Sequence, residues 1–187
     1  MEFIILKLLN EFTASSETMR DVVAFVGHML PPLLVSIVVL FLLLARGTAW
    51  REKIMRALEA LGAGVIARYG ITALIRLLYH RPRPFEAHQE IVQFIVREGN
   101  GFPSGHMAFL FAFTTVIWYF HRRMGWWLCG ISVLVGTARV AAGVHYPSDI
   151  AGGVIVGMVV GYIVHQLTSK LKSRGFFLKI FHDNKNF

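Results

Sequence analysis

Long apolar runs separated by short polar joints divide the chain. A hydrocarbon core of about 30 Å takes roughly 20 helical residues to cross. Residues 22–44 form the clearest such run, almost free of charge, although Pro31-Pro32 should bend or break it because proline lacks a backbone donor. Residues 54–78, 106–120, 125–142 and 150–167 supply four more. The opening stretch differs: "FIILKLLNEF" sets apolar residues around Lys7 and Glu11 at helical spacing, so residues 1–20 predict an amphipathic helix lying in the interface. A signal peptide is the competing reading, but no basic start and no small-residue cleavage site accompany it, and the segment is expected to be retained. The pattern therefore predicts one all-α integral membrane domain over residues 1–187, a bundle of five to six helices with the N-terminal one interfacial.

Composition agrees: 55% hydrophobic and 16% charged residues, with a mean hydropathy of +0.56, are too apolar for an ordinary soluble domain. The net charge of +8 is unevenly placed, and the loops that carry the Lys and Arg residues predict an orientation. Arg46, Arg51, Lys53 and Arg56 follow the first run, Arg122 and Arg123 the third, and Lys170, Lys172, Arg174 and Lys179 the fifth, so these joints and a basic tail at 170–187 are expected in the cytoplasm. Contact with lipid headgroups accounts for this collar without nucleic acid. The opposite face, toward the periplasm or cell exterior of an inner-membrane protein, then carries the N-terminus, residues 79–105 and "GVHYPSD" at 143–149. Trp50, Trp118, Trp126 and Trp127 read as interface anchors, and His28, His80, His121 and His165 as interfacial or structural. Cys129 is alone, and no Cys/His spacing points to zinc. Gly153, Gly157 and Gly161 recur four apart, a pattern of close helix packing, and Gly152 beside them has the same expected role.

Three polar groups collect at the outer ends of different runs: "RLLYHRPRP", "GFPSGH" and "ARVAAGVHYPSD". Ionisable groups at membrane depth are costly and mark a functional path or a buried pair. Arg76, Arg83 and Arg139 outnumber Asp149, so an external anion is needed to balance them, and the arginine fork suits phosphate oxygens. Ser104 and Gly105 open a helix whose free N–H groups attract anions. A phosphoryl group so held needs a nucleophile and a proton donor for the departing oxygen, and His145 and His106 are the candidate pair. Asp149, four residues beyond His145, is placed to hold its tautomer. Taken alone, His145 and Asp149 read better as a helix-capping turn; with the other two groups present, catalysis is the favoured reading.

The order Arg76-x6-Arg83-Pro84, Pro103-Ser104-Gly105-His106 and Arg139-x5-His145-x3-Asp149 resembles the type 2 phosphatidic acid phosphatase (PAP2) superfamily of membrane lipid phosphatases. Two positions depart from it: the family usually has Lys where Arg76 stands, which keeps the charge, and often Ser at Ala138, which removes a hydroxyl and leaves Ala138 without a site role. The resemblance implies a mechanism without metal or other cofactor, in which His145 is phosphorylated, His106 protonates the leaving group and water releases phosphate. It implies phosphate contacts from Arg76, Arg83, Ser104, Gly105 and Arg139, and a six-helix form whose first helix corresponds to the N-terminal segment. Small size, short loops and "RPRPFEAH" look most like bacterial undecaprenyl-diphosphate phosphatases of the bacitracin-resistance type. Phosphatidylglycerophosphate, phosphatidic acid and lipid A phosphatases share the motifs. Arg81 and His88 are either extra cations for a diphosphate or part of a solvated loop. Arg68, in the middle of the second run, either pairs with a carboxylate such as Glu59 or faces a polar interior. The reading from another class is a transporter or binding protein for a lipid phosphate, which would not need His106, His145 and Asp149 around the anion.

Overall fold

The computed structural model describes residues 1–47, 49–96 and 98–173; Arg174 and Lys179 of the expected basic tail lie outside them. The described residues form helices without strands: α1 (Glu2–Ala14), α2 (Glu17–Leu44), α3 (Trp50–Leu78), α4 (Pro84–Ala87), α5 (Gly105–Phe120), α6 (Arg122–Ala141) and α7 (Pro147–Ser173). Four of these, of 28, 29, 20 and 27 residues, are long and apolar enough to cross a membrane, and α5 is a shorter apolar helix. All five expected runs are therefore helical. α5 is apolar on every side because it is central, packed by α3, α6 and α7. Ala108, Ala112, Phe113, Val116 and Ile117 of α5 form the main core with Ala60, Ala63 and Ala67 of α3.

The glycines of α7 make the closest contact. A Cβ on Gly153, Gly157 or Gly161 would stand 2.5, 2.6 or 2.7 Å from the carbonyl oxygens of Ser104, Ala108 and Ala112, so the two backbones meet along one stripe. This fixes the start of α7, which carries Asp149, beside the start of α5.

The structure departs from several expectations. Pro31-Pro32 do not break α2: a π-helical segment, Phe25–Met29, precedes them and carries the chain past the missing donors. α3 contains a second π segment, Ile66–Ile71. The N-terminal helix cannot serve as a first spanning helix, because α1 has 13 residues, about 20 Å at 1.5 Å per residue. Instead Asn10, buried, donates to the carbonyls of Val92 and Ala141 and accepts from the Val92 N–H, tying α1 across the outer loop. Trp118 is half-buried, packed on Gly125 and, edge-to-face, on Trp126. Trp50, Trp126 and Trp127 are exposed at the collar end as expected. Glu59 belongs to that end too, paired with His165 at 2.7 Å and Lys172 at 3.7 Å, and is not the partner of Arg68.

Candidate active site

At the end opposite the collar, the last turn of α3, the first turn of α5, the end of α6 and the start of α7 converge. Between them lies a cavity of about 130 Å³ lined by Arg68, Arg76, Arg83, Glu98, Gly105, His106, Arg139 and His145. Six of the eight expected site residues thus line one small space. Asp149 and Ser104 stand behind it, both fully buried.

His145 follows a tight turn in which Gly143 adopts φ +74°, a conformation open to glycine and strained for other residues. Its Nδ1 lies 3.5 Å from Asp149 Oδ2, and its Nε2 lies 3.3 Å from Arg139 Nη2. Nδ1 makes no hydrogen bond within the protein, and a tautomer protonated there leaves the lone pair on the side of Arg139 and the cavity. Burial, followed by the charges of Arg139, Arg83 and Arg76, holds His145 well below the usual histidine value, with the Gly101 backbone working the other way. The imidazole is therefore neutral at neutral pH, as a nucleophile must be.

Asp149 is itself held. Its Oδ2 accepts from the Tyr146 N–H at 2.8 Å and its Oδ1 from Arg81 Nη1 at 2.7 Å. Arg81 also donates to Ser148 Oγ and to Glu2 Oε1, and its guanidinium carbon lies 4.3 Å from the centre of the Tyr146 ring. Burial opposes the charge on Arg81, but Asp149 and Glu2 outweigh it and raise Arg81 above its ordinary value. Arg81 is therefore neither an extra phosphate ligand nor part of a solvated loop; it clamps Asp149 to the start of α1. His88 likewise packs between Phe3 and Tyr146, with ring centres 4.3 and 6.3 Å away.

The arginines differ in how far they are committed. Arg139, 1% exposed, donates through Nη1 to the Gly27 carbonyl in the π segment of α2, at 2.8 Å. Arg83 donates to the carbonyls of Gly99 and Val144, each at 2.8 Å, and so fixes the chain on both sides of the cavity. Arg76 donates from Nη2 to the Pro103 carbonyl at 2.8 Å, while its buried Nε makes no hydrogen bond. Ser104 caps α5 by position, its N–H bonding the Asp149 carbonyl, but its buried hydroxyl makes no hydrogen bond.

Sequence reasoning missed several supports. Asn100 donates to the carbonyls of Arg76 and Tyr79 and accepts from the N–H groups of Arg81 and Phe102, so it orders the whole loop; its place between two glycines was the available signal. Gly27 and Glu2 carried none. His28 was read as interfacial or structural, yet it lines a second cavity that touches the first.

Fold and cavity together define a membrane enzyme of phosphate chemistry. The chain belongs to the PAP2 superfamily, whose family model matches residues 57–173, a span that includes every residue lining the small cavity. It is thereby a hydrolase acting on phosphate esters. It is 25% identical over 172 residues to undecaprenyl-diphosphatase BcrC of Bacillus subtilis, covering 92% of this chain and 86% of that protein. Its identity to the bacitracin transport permease protein BcrC of Bacillus licheniformis is 27% over 167 residues, or 88% and 79% of the two chains. Among solved structures, LpxE of Aquifex aeolicus shares the fold with a TM-score of 0.71 at 19% identity, over 88% of this chain and 94% of that one.

Proposed function

We propose that this protein hydrolyses undecaprenyl diphosphate to undecaprenyl phosphate at the outer face of the inner membrane, through a phosphohistidine on His145. The observation that carries this reading is the placement of His145: its Nδ1 is backed by Asp149, and its Nε2 faces a cavity lined by Arg68, Arg76, Arg83 and Arg139. The similarity to undecaprenyl-diphosphatase BcrC supports the choice of lipid. The basic collar at the opposite end supports the outward orientation.

In this account, residues 1–187 act as one catalytic unit. Arg76, Arg83 and Arg139, the buried hydroxyl of Ser104, which makes no hydrogen bond within the protein, and the Gly105 N–H at the start of α5 hold the terminal phosphoryl group. His145 Nε2 attacks phosphorus, the bond to the bridging oxygen breaks, and His106 gives its proton to that oxygen. Asp149 stabilises the charge that develops on the ring. His106 then takes a proton from water as the water oxygen attacks the phosphohistidine, which releases phosphate and restores His145. A small cavity of fixed donors suits this chemistry because transition-state charge is stabilised without reorganisation.

The test is phosphate release in detergent, in excess EDTA, from a polyprenyl diphosphate, phosphatidylglycerophosphate, phosphatidic acid and lipid A. The diphosphate should be the best substrate, and EDTA should leave the rate unchanged because the charge around the phosphate comes from arginine. Preference for another of these lipids would reassign the substrate. Activity lost in EDTA and restored by Mg²⁺ would remove the mechanism, and tight binding without release would favour a transporter.

A further inference from the structure

Two unlike cavities meet at Arg68 and His106. The small one contains His145 and Arg139; the large one, about 490 Å³, contains His28, Pro31, Val35, Tyr69 and Phe109, and Arg68 and His106 line both. The large cavity opens between α2 and α3, where Pro32, Ser36 and Tyr69 are exposed. In an in-line displacement the nucleophile and the leaving group stand on opposite sides of phosphorus. With His145 confined to the small cavity, the leaving group departs past His106 into the large one. Arg68 stands at that exit.

The character of the exit depends on what leaves. An alcohol protonated by His106 carries no charge and calls for no cation. A departing phosphate keeps ionised oxygens in a site of low dielectric, where an unpaired charge is costly and a guanidinium is the best partner. Among the described residues no carboxylate pairs with Arg68. Its guanidinium carbon lies 5.2 Å from the centre of the Tyr69 ring, a contact that leaves the charge in place. A Cβ at Gly105 would stand 3.5 Å from Arg68 Cγ and 3.8 Å from Arg76 Nη2, so the two arginines flank the start of α5.

The backbone adds an independent observation. Arg68 lies in the π segment Ile66–Ile71 and His28 in the π segment Phe25–Met29, and both line the large cavity. The segment in α2 has a local cause in Pro31-Pro32. The one in α3 contains no proline and precedes none within the helix. A π turn without a local cause changes the register of the side chains it carries, and such turns are frequent at functional sites.

We infer that Arg68 binds the departing phosphate of a diphosphate substrate and so selects diphosphates over phosphate monoesters. The inference rests on the reading of the protein as a diphosphatase. The bond that breaks joins the terminal phosphorus to the bridging oxygen. That oxygen keeps the electron pair and receives the His106 proton, and the departing lipid monophosphate turns its remaining oxygens to Arg68. His28 lines the path by which it leaves.

The experiment compares farnesyl diphosphate with farnesyl monophosphate, which share a lipid and differ in whether phosphate or alcohol departs. The full-length protein in detergent is assayed as wild type, Arg68→Gln and Arg68→Lys. Loss of a charge-assisted contact should lower kcat/KM of Arg68→Gln on the diphosphate about tenfold to a hundredfold, and on the monophosphate by no more than about threefold. Arg68→Lys should keep most of the diphosphate activity. Inorganic pyrophosphate should inhibit the wild type more tightly than inorganic phosphate does, and Arg68→Gln should lose that difference. Equal changes on both substrates in both variants, or unaltered pyrophosphate inhibition, would overturn the role of Arg68 while leaving the diphosphatase reading intact. A wild type that cleaves only the monophosphate would overturn both.

Discussion

Burial and three arginine charges keep the His145 imidazole neutral well below its ordinary value, and this has a kinetic signature. Because kcat/KM reports the free enzyme, the limb assigned to His145 should stay level as pH falls through about 6.5 and drop only at lower pH. A half-loss near the ordinary histidine value would show that the nucleophile is not held neutral. The stability effect has the same origin: the folded state resists a proton that the unfolded state accepts, so stability declines as pH falls below the unfolded value. At this scale the sequence was informative wherever spacing is local. Arg139, His145 and Asp149 lie within one short stretch, and their mutual geometry follows from it. The Gly27 carbonyl that receives Arg139 is 112 residues away in sequence, and no local pattern marks it. Arg81 was misread for the same reason, since Glu2 is 79 residues distant.

At the scale of elements, each of the five apolar runs became a helix, four of them long and apolar enough to cross a membrane and α5 shorter, because hydropathy and length are local properties of the sequence. They did not predict the two π segments, nor the role of α1, whose amphipathic pattern serves the outer loop and the start of α7. The glycine stripe of α7 was legible, and its partner became clear only in three dimensions. Gly157→Ala would drive a methyl group to 2.6 Å from the Ala108 carbonyl oxygen, whereas Gly62→Ala and Gly130→Ala meet nothing within 4 Å. The first should destabilise by about 1–3 kcal/mol through overpacking. The other two should be neutral or stabilising by up to about 1 kcal/mol, as expected for glycine replaced inside a helix. Thermal unfolding in detergent checks the contrast, and an unchanged Tm for Gly157→Ala would show that the α5–α7 contact is looser than described.

The whole molecule is a polarised bundle. Its core around α5 is apolar, one end carries the basic collar with the Glu59–His165–Lys172 cluster, and the other gathers arginines and histidines around two adjoining cavities. The central claim about this arrangement is that His145 takes the phosphoryl group and His106 serves the leaving oxygen. A nucleophile is needed for every substrate, whereas a general acid matters less when the group leaves easily. His145→Ala should therefore lose turnover on all substrates, and His106→Ala should keep measurable turnover on an activated aryl phosphate. The decisive measurement is rapid quenching with a phosphate-labelled aryl substrate. Acid-labile label should be trapped on the His106→Ala protein and absent from the His145→Ala protein; label retained on the protein that lacks His145 would contradict the account.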